Sequence, residues 1–271
     1  MTNTTFKELE HRGWTDRAAA YDDYFALVTN QAIGSVLDSF GNLQGKSLLD
    51  LCCGTGELAA AAAKRGAEVE GIDFATTMVA RAAAKFPAIS FRQGDAEDLP
   101  YDSDRFDCVA CSFGLLHIQD PEKAMAEAGR VLRNGGRYTF TVWCTPDQGS
   151  ELFGLMQGAI QAHGSIDVGL PPAPPFFRFA DAEECRKTLT AAGFLAPVTA
   201  KIPLTWRGKT ASDYLDLFYK SAVRMPMVLE RQTSDAREQI HKSVLENAER
   251  FRVGERLEIA SPAFMVTAIK P

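Results

Sequence analysis

The stretch Ser47-Leu48-Leu49-Asp50-Leu51-Cys52-Cys53-Gly54-Thr55-Gly56-Glu57-Leu58-Ala59 decides how the chain reads. An apolar run suited to a buried strand enters a glycine turn and then an alanine-rich segment of helix character. Small residues in the turn let the backbone approach a ligand, and the amides at the helix N-terminus point to the same place. The acid at the strand's end sets the chemistry of that ligand. Asp50 repels a pyrophosphate laid over the turn and attracts an ammonium or a sulfonium.

Outward from this stretch the pattern repeats. A helix from Glu57 to Arg65 stops at Gly66. A second strand, Glu68 to Ile72, ends at Asp73, about 20 positions past the turn, where a fold of this type holds a ribose diol. A third strand, Ile89 to Gly94, ends at Asp95-Ala96, and a fourth, Phe106 to Phe113, leads into Gly114-Leu115-Leu116-His117. A helix from Pro121 to Leu132, a turn at Arg133-Asn134-Gly135-Gly136 and a fifth strand, Arg137 to Trp143, follow. Asp50, Asp73 and Asp95 thus close three successive strands and line one edge of a parallel sheet, where open α/β folds bind ligands.

Over roughly residues 14 to 143 this order resembles the class I S-adenosylmethionine (SAM)-dependent methyltransferases. The likeness is to the type 11 small-molecule enzymes, and Asp50 to Gly56 is especially similar to the ubiquinone/menaquinone-biosynthesis branch. SAM carries an ammonium and a sulfonium and no phosphate, in keeping with Asp50. The resemblance implies an α/β, Rossmann-like, doubly wound seven-stranded sheet with an antiparallel last strand and an α-helical lid. It implies SAM as cofactor, S-adenosylhomocysteine as product, and cofactor contacts from Tyr21, Asp50, Cys52, Gly54, Gly56, Asp73, Phe74, Met78, Asp95, Ala96, Ser112 and His117. Asp73 would accept from the ribose hydroxyls and Asp95 from the adenine amine, with Ala96 leaving room for the ring. Tyr21, in a segment that covers the cofactor in this family, would lie against the methionine end. Cys52 stands where most members have a first glycine, so residue 52 is expected at negative φ.

The implied organisation is an N-terminal helical cover (1–45), a SAM-binding core (46–144), an insertion or lid loop (145–180), a core helix and strand (181–206), a helical lid (207–256) and a final core strand (257–271). Residues 14 to 40 read as helical, with Tyr21, Tyr24, Phe25 and Val28 on one face. Beyond Trp143 a helix from Glu151 to Ala162, a stiff Pro171 to Phe177 loop and a helix from Asp181 to Gly193 are expected. A strand from Pro197 to Trp206, helices over 212–231 and 234–251, and a last strand from Ala263 to Ile269 complete the reading. The lid segments are rich in Phe176, Phe177, Phe179, Trp206, Tyr214, Phe218, Tyr219, Met225 and Met227, a lining for a small apolar or aromatic acceptor. Arg178 and Arg224 are candidates to meet a substrate carboxylate.

Composition sets the class. The 271 residues carry a net charge of −6 and no Lys/Arg cluster, which argues against nucleic acid or a membrane surface as partner. No run is apolar for long enough to span a bilayer, and Met1 to Thr5 lacks a signal peptide's apolar core, so a cytoplasmic protein is expected. A homodimer is compatible with this reading. The six cysteines are expected as free thiols; Cys108 and Cys111 have redox-motif spacing, but on a strand they point to opposite faces. No metal constellation is visible. His117, just past the fourth strand, is the candidate general base for an acceptor that holds a proton. His11, His163 and His241 have less telling surroundings.

The expected reaction is in-line methyl transfer to a small, apolar or aromatic metabolite. Gly54-x-Gly56-x-x-Ala59 also fits a dinucleotide fingerprint, so an NAD(P)-dependent oxidoreductase is the enzymatic alternative. A non-catalytic SAM-binding regulator and an enzyme using SAM's aminopropyl or carboxylate chemistry complete the set.

Overall fold

A computed structural model describes residues 4–195 and 197–271. Among these, no helix is long and apolar enough to cross a membrane. The chain divides into two compact units: one made of the chain up to Val28, Cys144–Pro172 and Pro203–Pro262, the other of Thr29–Trp143, Ala173–Ile202 and Ala263–Pro271.

Among the described residues ten strands occur in chain order: β1 Ser47–Leu51, β2 Glu68–Asp73, β3 Ser90–Gln93, β4 Phe106–Ser112, β5 Leu132–Trp143, β6 Val198–Ile202, β7 Thr205–Gly208, β8 Arg252–Val253, β9 Arg256–Ala260 and β10 Ala263–Ile269. The second unit holds a seven-stranded sheet in the order β3-β2-β1-β4-β5-β10-β6. Its first five strands are parallel, and β10 runs antiparallel to both neighbours. The chain winds outward from β1 through β2 to β3, then returns to place β4 on the other side. The strand order therefore reverses between β1 and β4, and their carboxyl ends border the crevice where such sheets take ligands.

Helices flank this sheet because their apolar stripes have it to cover. Leu58, Ala59, Ala60 and Ala62 of helix Glu57–Lys64 are buried. Helix Pro121–Val131 opens with proline in its first turn and the Asp120 carboxylate accepting from the Lys123 amide at 3.0 Å. One core cluster joins Val36, Leu37, Phe40 and Leu43 to Leu48, Leu58, Ala62, Cys108 and Ala110. Helix Ile33–Asp38 thus belongs to the sheet unit rather than to a cover ending at residue 45.

Other boundaries also differ from the sequence reading. Arg133 to Gly136 is no free turn: β5 starts at Leu132, and the register jumps from Phe106 opposite Leu132 to Cys108 opposite Arg137. The glycines are held in this bulge by Gly135 N–H to Lys270 O and Lys270 N–H to Gly136 O, at 2.9 and 3.0 Å. The expected strand from Pro197 to Trp206 is two strands. Pro203, lacking an N–H, interrupts the ladder, and β7 pairs with β9 in a separate sheet of order β7-β9-β8.

The first unit is built from helices Phe6–Tyr21, Glu151–His163, Ala211–Ser221, Arg224–Glu230 and Ser234–Ala248 with that small sheet. Helix Phe6–Tyr21 starts earlier than expected, at a capping box in which the Thr5 side chain and Glu8 satisfy each other's backbone amides. Phe25, Phe153 and Phe218 form an aromatic cluster, and the Tyr214 hydroxyl donates to Leu152 O at 2.5 Å. Trp206, Tyr214 and Phe218 are 5, 0 and 1% exposed, so they fill this interior and are not available to line an acceptor site. Phe179, buried in the sheet unit against Phe140, is likewise interior.

Truncating Leu37, fully buried in the sheet unit's core, tests this assignment. Leu37→Ala is expected to cost about 3 kcal/mol in urea unfolding. A loss under ~1 kcal/mol would place helix Ile33–Asp38 outside the core.

Candidate active site

The carboxyl ends of β1, β2 and β4 carry the candidate residues. Asp50, in β1, is 2% exposed, and its Oδ2 accepts from the Ala59 amide at 3.0 Å. The acid therefore takes an amide in the first turn of the helix that follows the glycines. Asp73, ending β2, is also buried. Its Oδ2 accepts from Gly54 N–H and its Oδ1 from Ala75 N–H, each at 2.9 Å. One carboxylate thus ties the glycine turn to the start of helix Thr76–Lys85. Asp95, half-buried past β3, caps its own turn by accepting from Glu97 N–H at 3.0 Å.

The turn itself corrects the expectation for Cys52. Its φ is +58°, left-handed, not negative. The cause is local packing: the thiol shares a hydrogen bond with Cys111 of β4 and rests on Gly114. A Cβ at residue 114 would lie 2.8 Å from Cys52 Sγ and 3.0 Å from Cys111 Sγ, so only glycine fits beneath the sulfurs. That hydrogen bond and burial push the Cys52 thiol well above its usual pKa, leaving it protonated at neutral pH. Gly54 and Gly56 follow at φ +52° and +87°. A Cβ on Gly56 would strike Phe91 and crowd Ala82 and Phe86, whereas one on Gly54 would meet nothing within 4 Å among the described residues. Gly56 is thus required by the protein's own packing, and the space over Gly54 is open.

At the end of β4, Ser112 Oγ and Thr141 Oγ1 are 3.2 Å apart, and the Phe113 amide donates to Thr141 Oγ1 at 3.1 Å. Phe113 is also left-handed, at φ +57°, with its ring 4.2 Å from that of Trp143. His117 ends the short turn Leu115–His117, its amide donating to Gly114 O at 2.9 Å. Met78 and Ala96 are buried, and Phe74 O accepts from the Gln93 side chain at 3.2 Å. Of the candidate contacts, the sheet unit carries all but Tyr21, which lies in the first unit against Trp14. Sequence reading missed Gly114 and Thr141; the glycine directly after strand four was the available signal for the first.

Two other candidates are engaged elsewhere. Arg178 pairs with Glu122 and Glu184 at 2.5 and 2.6 Å, and Arg224 donates to Pro171 O at 3.0 Å. All six cysteines are free, and Cys108 packs in the core cluster beneath the sheet while Cys111 meets Cys52 on the other side.

Burial dominates the electrostatics of Asp50. It raises the carboxyl from 3.8 to about 8, with the Ala59 amide opposing and Asp73 adding to the rise. Folding therefore takes up a proton between about pH 4 and pH 8, and the contribution of Asp50 to stability declines as pH rises through that window. Asp50→Asn keeps an acceptor for the Ala59 amide and removes the charge. In differential scanning calorimetry without ligand, the variant should melt ~5 °C above the parent at pH 8 and close to it at pH 5. An equal difference at both pH values would overturn this account.

Residues 49–140 match the methyltransferase domain family. A demethylmenaquinone methyltransferase of Clavibacter sepedonicus is 38% identical over 128 residues, 46% of this chain and 49% of the relative. One from Thermus thermophilus is 42% identical over 117 residues, 41% of this chain and 52% of the relative. The chain spans about half the length of these curated relatives. Among solved structures, the YcgJ protein from Bacillus subtilis shares the fold, with a TM-score of 0.60 over 89% of this chain and 98% of that one at 19% identity. With the glycine turn, the strand-end acids and the reversal of strand order between β1 and β4, residues 49–140 are thus similar to a methyltransferase domain.

Proposed function

We propose that this protein transfers a methyl group from SAM to a small apolar acceptor. The observation that carries the reading is the set of acids at the carboxyl ends of β1, β2 and β3 around an open glycine turn. Asp73 fits a ribose diol: its two oxygens accept the Gly54 and Ala75 amides, and a carboxylate can accept from hydroxyls in the same plane as well. Asp50 supplies negative potential beside the turn for an ammonium or sulfonium, and a bound cation favours its ionised form. Asp95 and Ala96 suit an adenine edge, one as acceptor and the other by its small size. SAM, when bound, supplies an electrophilic methyl on a good leaving group.

The protein's part in such a displacement is to align the nucleophile and to exclude water. His117 is proposed as the base for an acceptor that holds a proton at neutral pH. The relatives' name, demethylmenaquinone methyltransferase, supports a small-molecule acceptor of apolar character. The aromatic side chains of the first unit give it no support where they are interior, as Trp206, Tyr214 and Phe218 are.

The dinucleotide alternative is disfavoured by one contact. A pyrophosphate at this turn needs free amides at the helix N-terminus, and the Ala59 amide already serves Asp50.

Calorimetric titration is expected to give heats for SAM and S-adenosylhomocysteine and none for NAD; silence with SAM at millimolar concentration would sink the proposal. Asp73→Ala should weaken SAM binding by about 1.5–3 kcal/mol, and Asp73→Asn by less. Gly54→Val should abolish binding while circular dichroism shows an intact fold, since the branched side chain enters the open space over the turn. Normal affinity in either the Asp73→Ala or the Gly54→Val protein would remove the ribose or the cradle assignment.

A further inference from the structure

Cys52 and Cys111 meet at the sheet edge that carries the candidate site, and the proposed methyl transfer uses neither thiol. Cys111, the last residue but one of β4, is fully buried, whereas Cys52, directly after β1, is half-buried. β1 and β4 are parallel neighbours with Asp50 opposite Ala110, so one further step sets Leu51 opposite Cys111 and Cys52 diagonal to it. With strands ~4.8 Å apart and a rise of ~3.3 Å per residue, such a diagonal separates two Cα atoms by about 6 Å. Disulfides span Cα separations of roughly 4.4–6.8 Å.

The side chains converge as well. The position a Cβ on Gly114 would take lies 2.8 Å from Cys52 Sγ and 3.0 Å from Cys111 Sγ, so both sulfurs sit over the same bare glycine. They also share a hydrogen bond. The neighbouring cysteines turn elsewhere. Cys108 packs in the core cluster on the opposite face of the sheet, and Cys53 faces β2, its Cβ 3.2 Å from where a Cβ on Gly71 would stand.

We propose that Cys52 and Cys111 form a reversible disulfide under peroxide, and that this bond switches off cofactor binding at the glycine turn. The second half rests on the SAM reading above. The half-buried Cys52 Sγ attacks one peroxide oxygen, the O–O bond breaks, and the products are a sulfenic acid and water. Cys111 Sγ then attacks the Cys52 sulfur. The S–S bond forms, the S–O bond breaks, and hydroxide leaves with the Cys111 proton as a second water. Two thiols lose two electrons, and one peroxide is reduced to two waters. Cys52 is a thiol at neutral pH, so the first step is slow and calls for sustained peroxide; the second is intramolecular.

An S–S bond of about 2.05 Å draws the sulfurs closer than a hydrogen bond does. Cys111 is held in the ladder opposite Phe140, so the movement falls on Cys52. That residue is left-handed and stands two positions before Gly54, whose amide donates to Asp73. Drawing Cys52 toward β4 therefore pulls Gly54 from Asp73 and disturbs the open space over the turn.

In the test, full-length protein is treated with hydrogen peroxide in native buffer and quenched with N-ethylmaleimide. It is then followed by mass spectrometry and by calorimetric titration with S-adenosylhomocysteine. The expected product has lost about 2 Da, the two thiol hydrogens, and fragmentation of the cross-linked peptides places the bond between Cys52 and Cys111. Cys108→Ala should form the bond like the parent and Cys111→Ala should not, once circular dichroism shows that both fold; should either misfold, the parent's fragment masses decide. Affinity for S-adenosylhomocysteine should fall at least tenfold on oxidation and recover to within twofold after dithiothreitol. A bond through Cys53 or Cys108, or oxygen added at Cys52 with no bond, would overturn the pairing. A Cys52–Cys111 bond with unchanged affinity would overturn the switch. If the reduced protein binds no S-adenosyl compound, the SAM reading fails, and the fragment masses still decide the disulfide.

Discussion

The Asp73 carboxylate is the hinge on which the site is assembled. By accepting from Gly54 and Ala75 it fixes the turn after β1 against the helix after β2, two segments that share no regular backbone pairing there. Asp50 makes the parallel connection one strand over, from β1 to the first turn of its own following helix. Both acids are buried, and their mutual repulsion adds to the cost of holding them charged. The pair is best suited to a state in which positive charge or hydroxyl donors arrive beside them. Stability is thus lower in the ligand-free protein at the pH where the site is most receptive.

A second tension lies beside the first. Cys52 and Phe113 follow adjacent strands of the sheet, and both adopt left-handed backbone that non-glycine residues avoid. Each is held by packing: Cys52 by Cys111 and the bare surface of Gly114, Phe113 by Thr141 and the Trp143 ring. Conformational strain of about 1 kcal/mol or more at each position is tolerated where the sheet core beneath is rigid. The effect is to turn the chain sharply away from the sheet on both sides of the crevice. That leaves room above Gly54.

The first unit follows a different logic. Trp206, Tyr214 and Phe218, which read in the sequence as a lining, lie in its own core together with Leu152, Leu217, Leu229 and Ile240. Its charged residues are the more individual feature. The Glu10 charge acts on Arg224, while the Arg17 Nε has no hydrogen-bond partner among the described residues.

From Ser47 to Trp143 the sequence alone located the five strands, apart from the start of β5, and the three strand-end acids. There, the central strands β1 and β4 are buried and apolar, and helix starts and stops are marked by glycine, proline and capping acids within a few residues. The same local rules could not foresee the φ of Cys52, since it packs on the Cys111 thiol of β4 and on Gly114 just beyond it, some sixty residues away. They did not separate β6 from β7, because both read as one alternating run, although Pro203, lacking an N–H, marks the break after which β7 pairs with β9. Nor did they show which arginines are engaged: Arg178 pairs with Glu122 and Arg224 donates to Pro171 O, neighbours brought from distant parts of the chain. Periodicity and turn chemistry are local and legible in the sequence; partner choice is a tertiary property, decided by which side chains the fold brings within reach.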